Sequence, residues 1–92
     1  MRIWRTTRGT TITRLLAGRS NVFLVSREGR NVLVDTSPAY RWPRLQRRLR
    51  RLGIASLDAL VLTHAHFDHA GSAACLQKEF AAPVIVHHAE AD

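Results

Sequence analysis

Thr63-His64-Ala65-His66-Phe67-Asp68-His69-Ala70-Gly71 is the stretch that decides how this 92-residue chain is read. It sets three imidazoles and a carboxylate within six positions, directly after the apolar run Leu57-Asp58-Ala59-Leu60-Val61-Leu62. Neutral imidazole and carboxylate suit zinc and neighbouring divalent ions. In an extended turn His64 and His66 point to the same side and can hold one ion, while Asp68 and His69 can reach a second. Two ions about 3.5–4 Å apart clamp both oxygens of a displacement. A polar turn whose histidines fall together by chance is the plain alternative. The position argues against it, because a strand-to-helix turn is where α/β proteins place their chemistry.

Working outward, Leu57–Leu62 reads as a buried strand aimed at the histidines, and a helix is expected from about His69 to Phe80 with Ala73, Leu76 and Phe80 facing inward. Asp68, near that helix start, is well placed against the helix dipole. Pro83–His87 reads as the next strand, and Ala89-Glu90-Ala91-Asp92 as the first turn of a further helix. On the N-terminal side, Ile3–Arg5, Thr11–Leu16 and Asn21–Ser26 are rich in strand-forming residues, and Arg27-Glu28-Gly29-Arg30 is a hairpin turn. The return strand Asn31–Asp35 is nearly all apolar, the pattern expected when both faces are covered. Between them lies a helix from about Pro43 to Leu52, stopped by Gly53, with Trp42, Leu45, Leu49 and Leu52 on one face.

With these motifs in place, the chain resembles the metallo-β-lactamase-fold hydrolases, most closely their glyoxalase II-like and lactonase-like members. Ser20–Val25 looks like the family's early strand and Val32-Leu33-Val34-Asp35-Thr36 like the strand that ends in an acidic turn. Thr63–Gly71 matches the metal signature, and Ala82–His87 the strand after it. Ser37-Pro38 departs from the glycine that many members carry after Asp-Thr, and reads as a variant turn. The resemblance implies an α/β (α+β) fold, half of an αββα sandwich, with a mixed sheet covered by helices. It further implies that residues 1–92 form a single domain, the N-terminal portion of a longer fold, because the remaining ligands of the family come from a second half.

The roles carried over are His64 and His66 as ligands of a first Zn2+ ion, and Asp68 and His69 as ligands of a second. Metal-bound hydroxide would attack a thioester, lactone, lactam or phosphodiester. Asp68 would orient that hydroxide, or act as general base when one ion is bound. Asp35 is implied to buttress the ligand loop. His87 and His88 are read as histidines without a ligand role. With two protein ligands per ion, a second copy of the chain or a complementary C-terminal half is expected to complete each shell. The alternative within the same motif is a non-catalytic metal-binding half-fold.

Bulk properties narrow the field. The single cysteine, Cys75, excludes an internal disulfide and fits a reducing, cytoplasmic compartment. It lies in the apolar phase of its helix and reads as a buried, inert thiol. No stretch approaches the roughly 18 apolar residues of a membrane span, and no apolar core follows Arg2 and Arg5 as in a secretory signal. Thirteen of the fourteen basic residues are arginine, and the formal charge is +7. Arg44, Arg47, Arg48, Arg50 and Arg51 crowd one helix. A polyanion-binding helix and a solvated amphipathic face are the two readings. The second is preferred, since a charged face opposite an apolar stripe is the usual surface-helix pattern and no aromatic residue interleaves with these arginines. A small-molecule substrate is therefore expected, rather than nucleic acid or membrane.

Overall fold

A computed structural model describes residues 1–18, 21–63 and 72–86. The chain opens as an antiparallel meander of β1 (Arg2–Arg5), β2 (Thr11–Leu16), β3 (Val22–Arg27) and β4 (Arg30–Val34). Glu28 and Gly29 form the two-residue β3–β4 turn, both at positive φ (50° and 79°). That backbone twist matches the twist of the flanking strands. The hairpin turn expected at Arg27–Arg30 is present, with Arg27 and Arg30 paired across it.

A 3-10 turn, Ala39–Arg41, leads into α1 (Trp42–Arg51), after which β5 (Ala59–Leu62) pairs in parallel with β4. Pro43 occupies the first turn of α1, where its missing N–H costs nothing. Gly53, at φ 74°, closes the helix. Its N–H donates to the Arg50 carbonyl and that of Ile54 to the Leu49 carbonyl, at 2.9 and 3.0 Å. This paired closure satisfies carbonyls that the helix leaves open. The second described helix, α2 (Ala73–Phe80), precedes β6 (Val84–Val86), which is parallel to β5. α2 begins later than the expected start at His69, with Ser72 as its N-cap residue.

The six strands lie in sequence order, β1-β2-β3-β4-β5-β6. Two successive crossovers that step in the same direction, each right-handed, put both helices on the same face of the sheet. That face holds the core. Thr13, Leu24, Leu33, Leu60 and Val84 are in register across five strands. Leu45 and Leu49 of α1 and Leu76 of α2 join this row, all fully buried, and Trp42, Leu52, Ala73 and Phe80 pack at its margin. The apolar faces expected for both helices are the ones that pack.

One expectation is corrected here. The apolar run of β4 was expected to be covered on both faces. Leu33, on the helix side, is buried, whereas Val32 and Val34, on the other side, are half-buried. Mixed topology with all crossovers on one side explains the difference, since nothing among the described residues lies over the opposite face.

Candidate metal-loop scaffold

β4 and β5 are adjacent and parallel, so their carboxyl ends meet at one edge of the sheet. Asp35 leaves β4 there at φ 64°, a left-handed conformation that aspartate tolerates better than most residues. Its N–H donates to the Val61 carbonyl at 2.7 Å, so the ladder continues one residue past the strand. The turn carries the Asp35 carboxylate across to β5. Oδ1 accepts the Thr63 N–H at 2.8 Å and Oδ2 the Thr63 hydroxyl at 2.5 Å. Asp35 is 7% exposed, so both bonds of this clasp are largely shielded from competing water.

The same loop grips the far side of the histidine segment. The Ser72 N–H donates to the Ser37 carbonyl at 2.9 Å. The Ser72 hydroxyl reaches the Pro38 carbonyl at 3.3 Å, leaving its oxygen to accept from the Ser37 hydroxyl at 2.9 Å. Ser37 and Ser72 are both fully buried. Three residues of one turn, Asp35, Ser37 and Pro38, therefore tie down Thr63 and Ser72, the two residues that bracket positions 64–71.

His64, His66, Asp68 and His69 lie outside the described residues, as do Phe67, His87 and His88. Among the described residues no group of three or more His, Cys, Asp or Glu side chains converges. The metal assignment thus stands on the donor set in the sequence, and the structure supplies its frame. Asp35 contacts Thr63, the residue directly before the histidine segment. Ser37 and Ser72 were missed as holding residues. The available signal was a hydroxyl where many relatives of the resembled family carry glycine, read as a turn variant although a small polar residue there can bond a second loop.

Cys75 requires a correction. It is half-buried, not buried, and lines an open cleft of about 450 Å3 with Trp42, Gln46, Lys78 and Glu79. The cleft lies between α1 and α2, which Gln46 and Arg50 link through Glu79. No helix among the described residues is long and apolar enough to cross a membrane.

The sequence profile of the metallo-beta-lactamase superfamily matches residues 15–92. Over 71 residues the chain is 31% identical to a probable metallo-hydrolase of Methanocaldococcus jannaschii, covering 77% of this chain and 34% of that protein. Over 53 residues it is 42% identical to an octanoyltransferase of Porphyromonas gingivalis, covering 58% of this chain and 10% of that protein. A match to a tenth of a protein marks a shared segment and carries no activity with it. Among solved structures, a metallo-beta-lactamase with a HARLDQ motif from Cronobacter sakazakii aligns with a TM-score of 0.78 at 25% identity, over 99% of this chain and 35% of that one. The chain thus spans about a third of the hydrolase and of the lactamase. The six-stranded mixed sheet, its acidic turn and the profile match over most of the sequence lead to one assignment: the chain belongs to the metallo-beta-lactamase superfamily.

Proposed function

We propose that the chain carries the first metal-ligand segment of a zinc-dependent hydrolase. In this reading His64 and His66 hold one ion, and Asp68 and His69 contribute to a second. The observation that carries the proposal is the double grip of residues 35–38 on Thr63 and Ser72. A loop bearing metal ligands must be held rigidly if its donors are to keep a coordination geometry, and partners behind the ligands commonly do this. The donor set fits a divalent transition metal, being imidazole and carboxylate with no thiol. Such an ion, when bound, supplies Lewis acidity and an acidified water to a hydrolytic site.

The chain's own residues have separate tasks. Asp35 fixes the entry of the ligand segment through Thr63, and Ser37 fixes its exit through Ser72. Asp68 would orient the nucleophile or take its proton. Thioester, lactone, lactam and phosphodiester substrates all present the electrophilic centre this chemistry needs. Since two protein ligands per ion are too few for a firm zinc site, the remaining ligands come from a complementary half or a second copy of this chain. The half-exposed face of the sheet supports a second reading, a metal-binding half-fold that assembles without turning over substrate.

The test is metal content by plasma mass spectrometry on the chain and its His64→Ala/His66→Ala variant, with circular dichroism on both. Loss of bound zinc with unchanged secondary structure is the expected result. Equal zinc in the two proteins would overturn the ligand assignment. Native mass spectrometry then separates the two readings: an assembled, metal-loaded species that hydrolyses an ester is the enzyme, and one that does not is the assembly module.

A further inference from the structure

The outer side of α1 carries a feature that the hydrolase reading does not use. Arg44, Arg47, Arg48 and Arg51 line an open cleft of about 470 Å3. Arg44 and Arg47 also line an adjoining cleft of about 330 Å3 with Tyr40, Arg41 and Pro43. The two clefts share a wall and run on as one groove. From residue 40 to residue 51 the groove is about 16 Å long, at 1.5 Å per helical residue.

Three observations separate this groove from an ordinary solvated face. First, no carboxylate lines it, and α1 contains no acidic residue at all. Residues 44, 47, 48 and 51 are helix neighbours, so their like charges repel with no acid to offset them. The helix dipole favours cations in the last turn, where Arg48, Arg50 and Arg51 lie, but disfavours Arg41 and Arg44 near the N-terminus. Second, the arginines divide by role. The Arg41 guanidinium donates to the Ala17 carbonyl at 3.2 Å, Arg48 donates to the Leu15 carbonyl, and Arg50 pairs with Glu79 at 3.2 Å. Arg44, Arg47 and Arg51 are exposed and make no hydrogen bond or ion pair among the described residues. Third, Tyr40 stands at the head of the same stripe and is 73% exposed. Read as sequence, the helix had no aromatic among its arginines. The 3-10 turn places one beside them.

Free guanidinium groups in a row with an open ring at one end are the elements of a single-strand binding surface, where the backbone tracks the cations and a base stacks on the ring. We infer that the outer groove of α1 binds single-stranded nucleic acid, with phosphates on Arg44, Arg47 and Arg51 and one base on Tyr40. The groove holds roughly four to five stacked nucleotides at about 3.4 Å each, the lower end of known site sizes. This site is independent of the metal reading and needs none of residues 64–71.

The experiment is fluorescence anisotropy of labelled 20-nucleotide DNA and RNA single strands titrated with the chain at 50 and 200 mM salt. Three phosphate contacts predict a log–log salt slope of about −2, so affinity falls about 20-fold between the two conditions. Arg44→Gln/Arg47→Gln/Arg51→Gln flattens the slope to near zero, and Tyr40→Ala weakens binding about tenfold at either salt. A charge-matched control, Arg5→Gln/Arg8→Gln/Arg27→Gln, lowers the net charge equally at exposed sites away from α1 and retains the tight binding. Equal weakening in both triple variants would reduce the effect to bulk charge and overturn the site. So would absence of binding at 50 mM salt, or capture by phosphatidylserine vesicles with none by oligonucleotide. Preference between the DNA and RNA strands identifies which polymer the groove accepts.

Discussion

The two faces of the sheet are built from the same strands and behave as different materials. On one face Leu24, Leu33 and Leu60 sit in register under α1 and α2 and are at most 2% exposed. On the other, Val25, Val32 and Ala59 form one row and Phe23, Val34, Val61 and Ile85 the next, and all are half-buried or exposed. Trp4 extends this second face, its ring 6.4 Å from that of Phe23, with the Arg2 guanidinium 4.9 Å above it. Among the described residues no element covers this face, and contiguous apolar patches of this kind are uncommon on soluble monomers. The difference teaches that apolar character along a strand reports what a residue is suited to, whereas cover is decided by where the crossovers go.

The sharpest test of that contrast is a pair of neighbours. Leu33→Ala, on the covered face, is expected to cost about 2–5 kcal/mol because it leaves a cavity under the helices. Val32→Ala, one residue away and half-exposed, is expected to cost about 0.8 kcal/mol, half the transfer value of two methyl-sized groups. Urea melts of the two variants measure both, and equal losses would mean the second face is covered in solution.

The edge where the faces meet is the next place to probe. Asp35→Ala removes two part-buried hydrogen bonds to Thr63, and at about 0.5–1.5 kcal/mol each a loss of about 1–3 kcal/mol is expected. Zinc retention should fall with it if the clasp frames the ligand segment, and Asp35→Asn, which keeps one acceptor, should fall between. A variant with full stability loss but undiminished zinc would detach the clasp from the metal loop.

Smaller effects refine the picture. A double-mutant cycle on Ser37→Ala and Ser72→Ala should return a coupling of about 0.5–1.5 kcal/mol, the worth of one buried hydroxyl pair. Zero coupling would show that the hydroxyl pair adds nothing to the hold given by the Ser72 N–H and by its hydroxyl on the Pro38 carbonyl. At the end of α2, Ala81 caps the helix at φ 53°. Ala81→Gly should therefore stabilise by about 0.5–1 kcal/mol, read as a rise in thermal midpoint, since glycine adopts this conformation without its Cβ penalty.

Much of this was legible beforehand. The strand and helix positions followed from local chemistry: β-branched runs, Pro43 at a helix start, Gly53 at its end, Gly29 in a turn. A role for Asp35 came only from the family resemblance. The Ser37–Ser72 pair was not legible, because the two residues are 35 positions apart and nothing in either neighbourhood refers to the other. Cys75 was misjudged for a related reason. Its helical phase is apolar, yet its exposure is set by the open cleft between α1 and α2.

The sequence by itself determined the periodicities, the turn chemistry and the His-x-His-x-Asp-His donor set, since each depends on residues within a few positions of one another. Only the tertiary structure decided that both helices fall on one face, leaving Val32 and Val34 uncovered, and that Asp35 closes on Thr63 and Ser37 on Ser72. These outcomes depend on the handedness of the crossovers and on distances across the sheet, neither of which local spacing encodes.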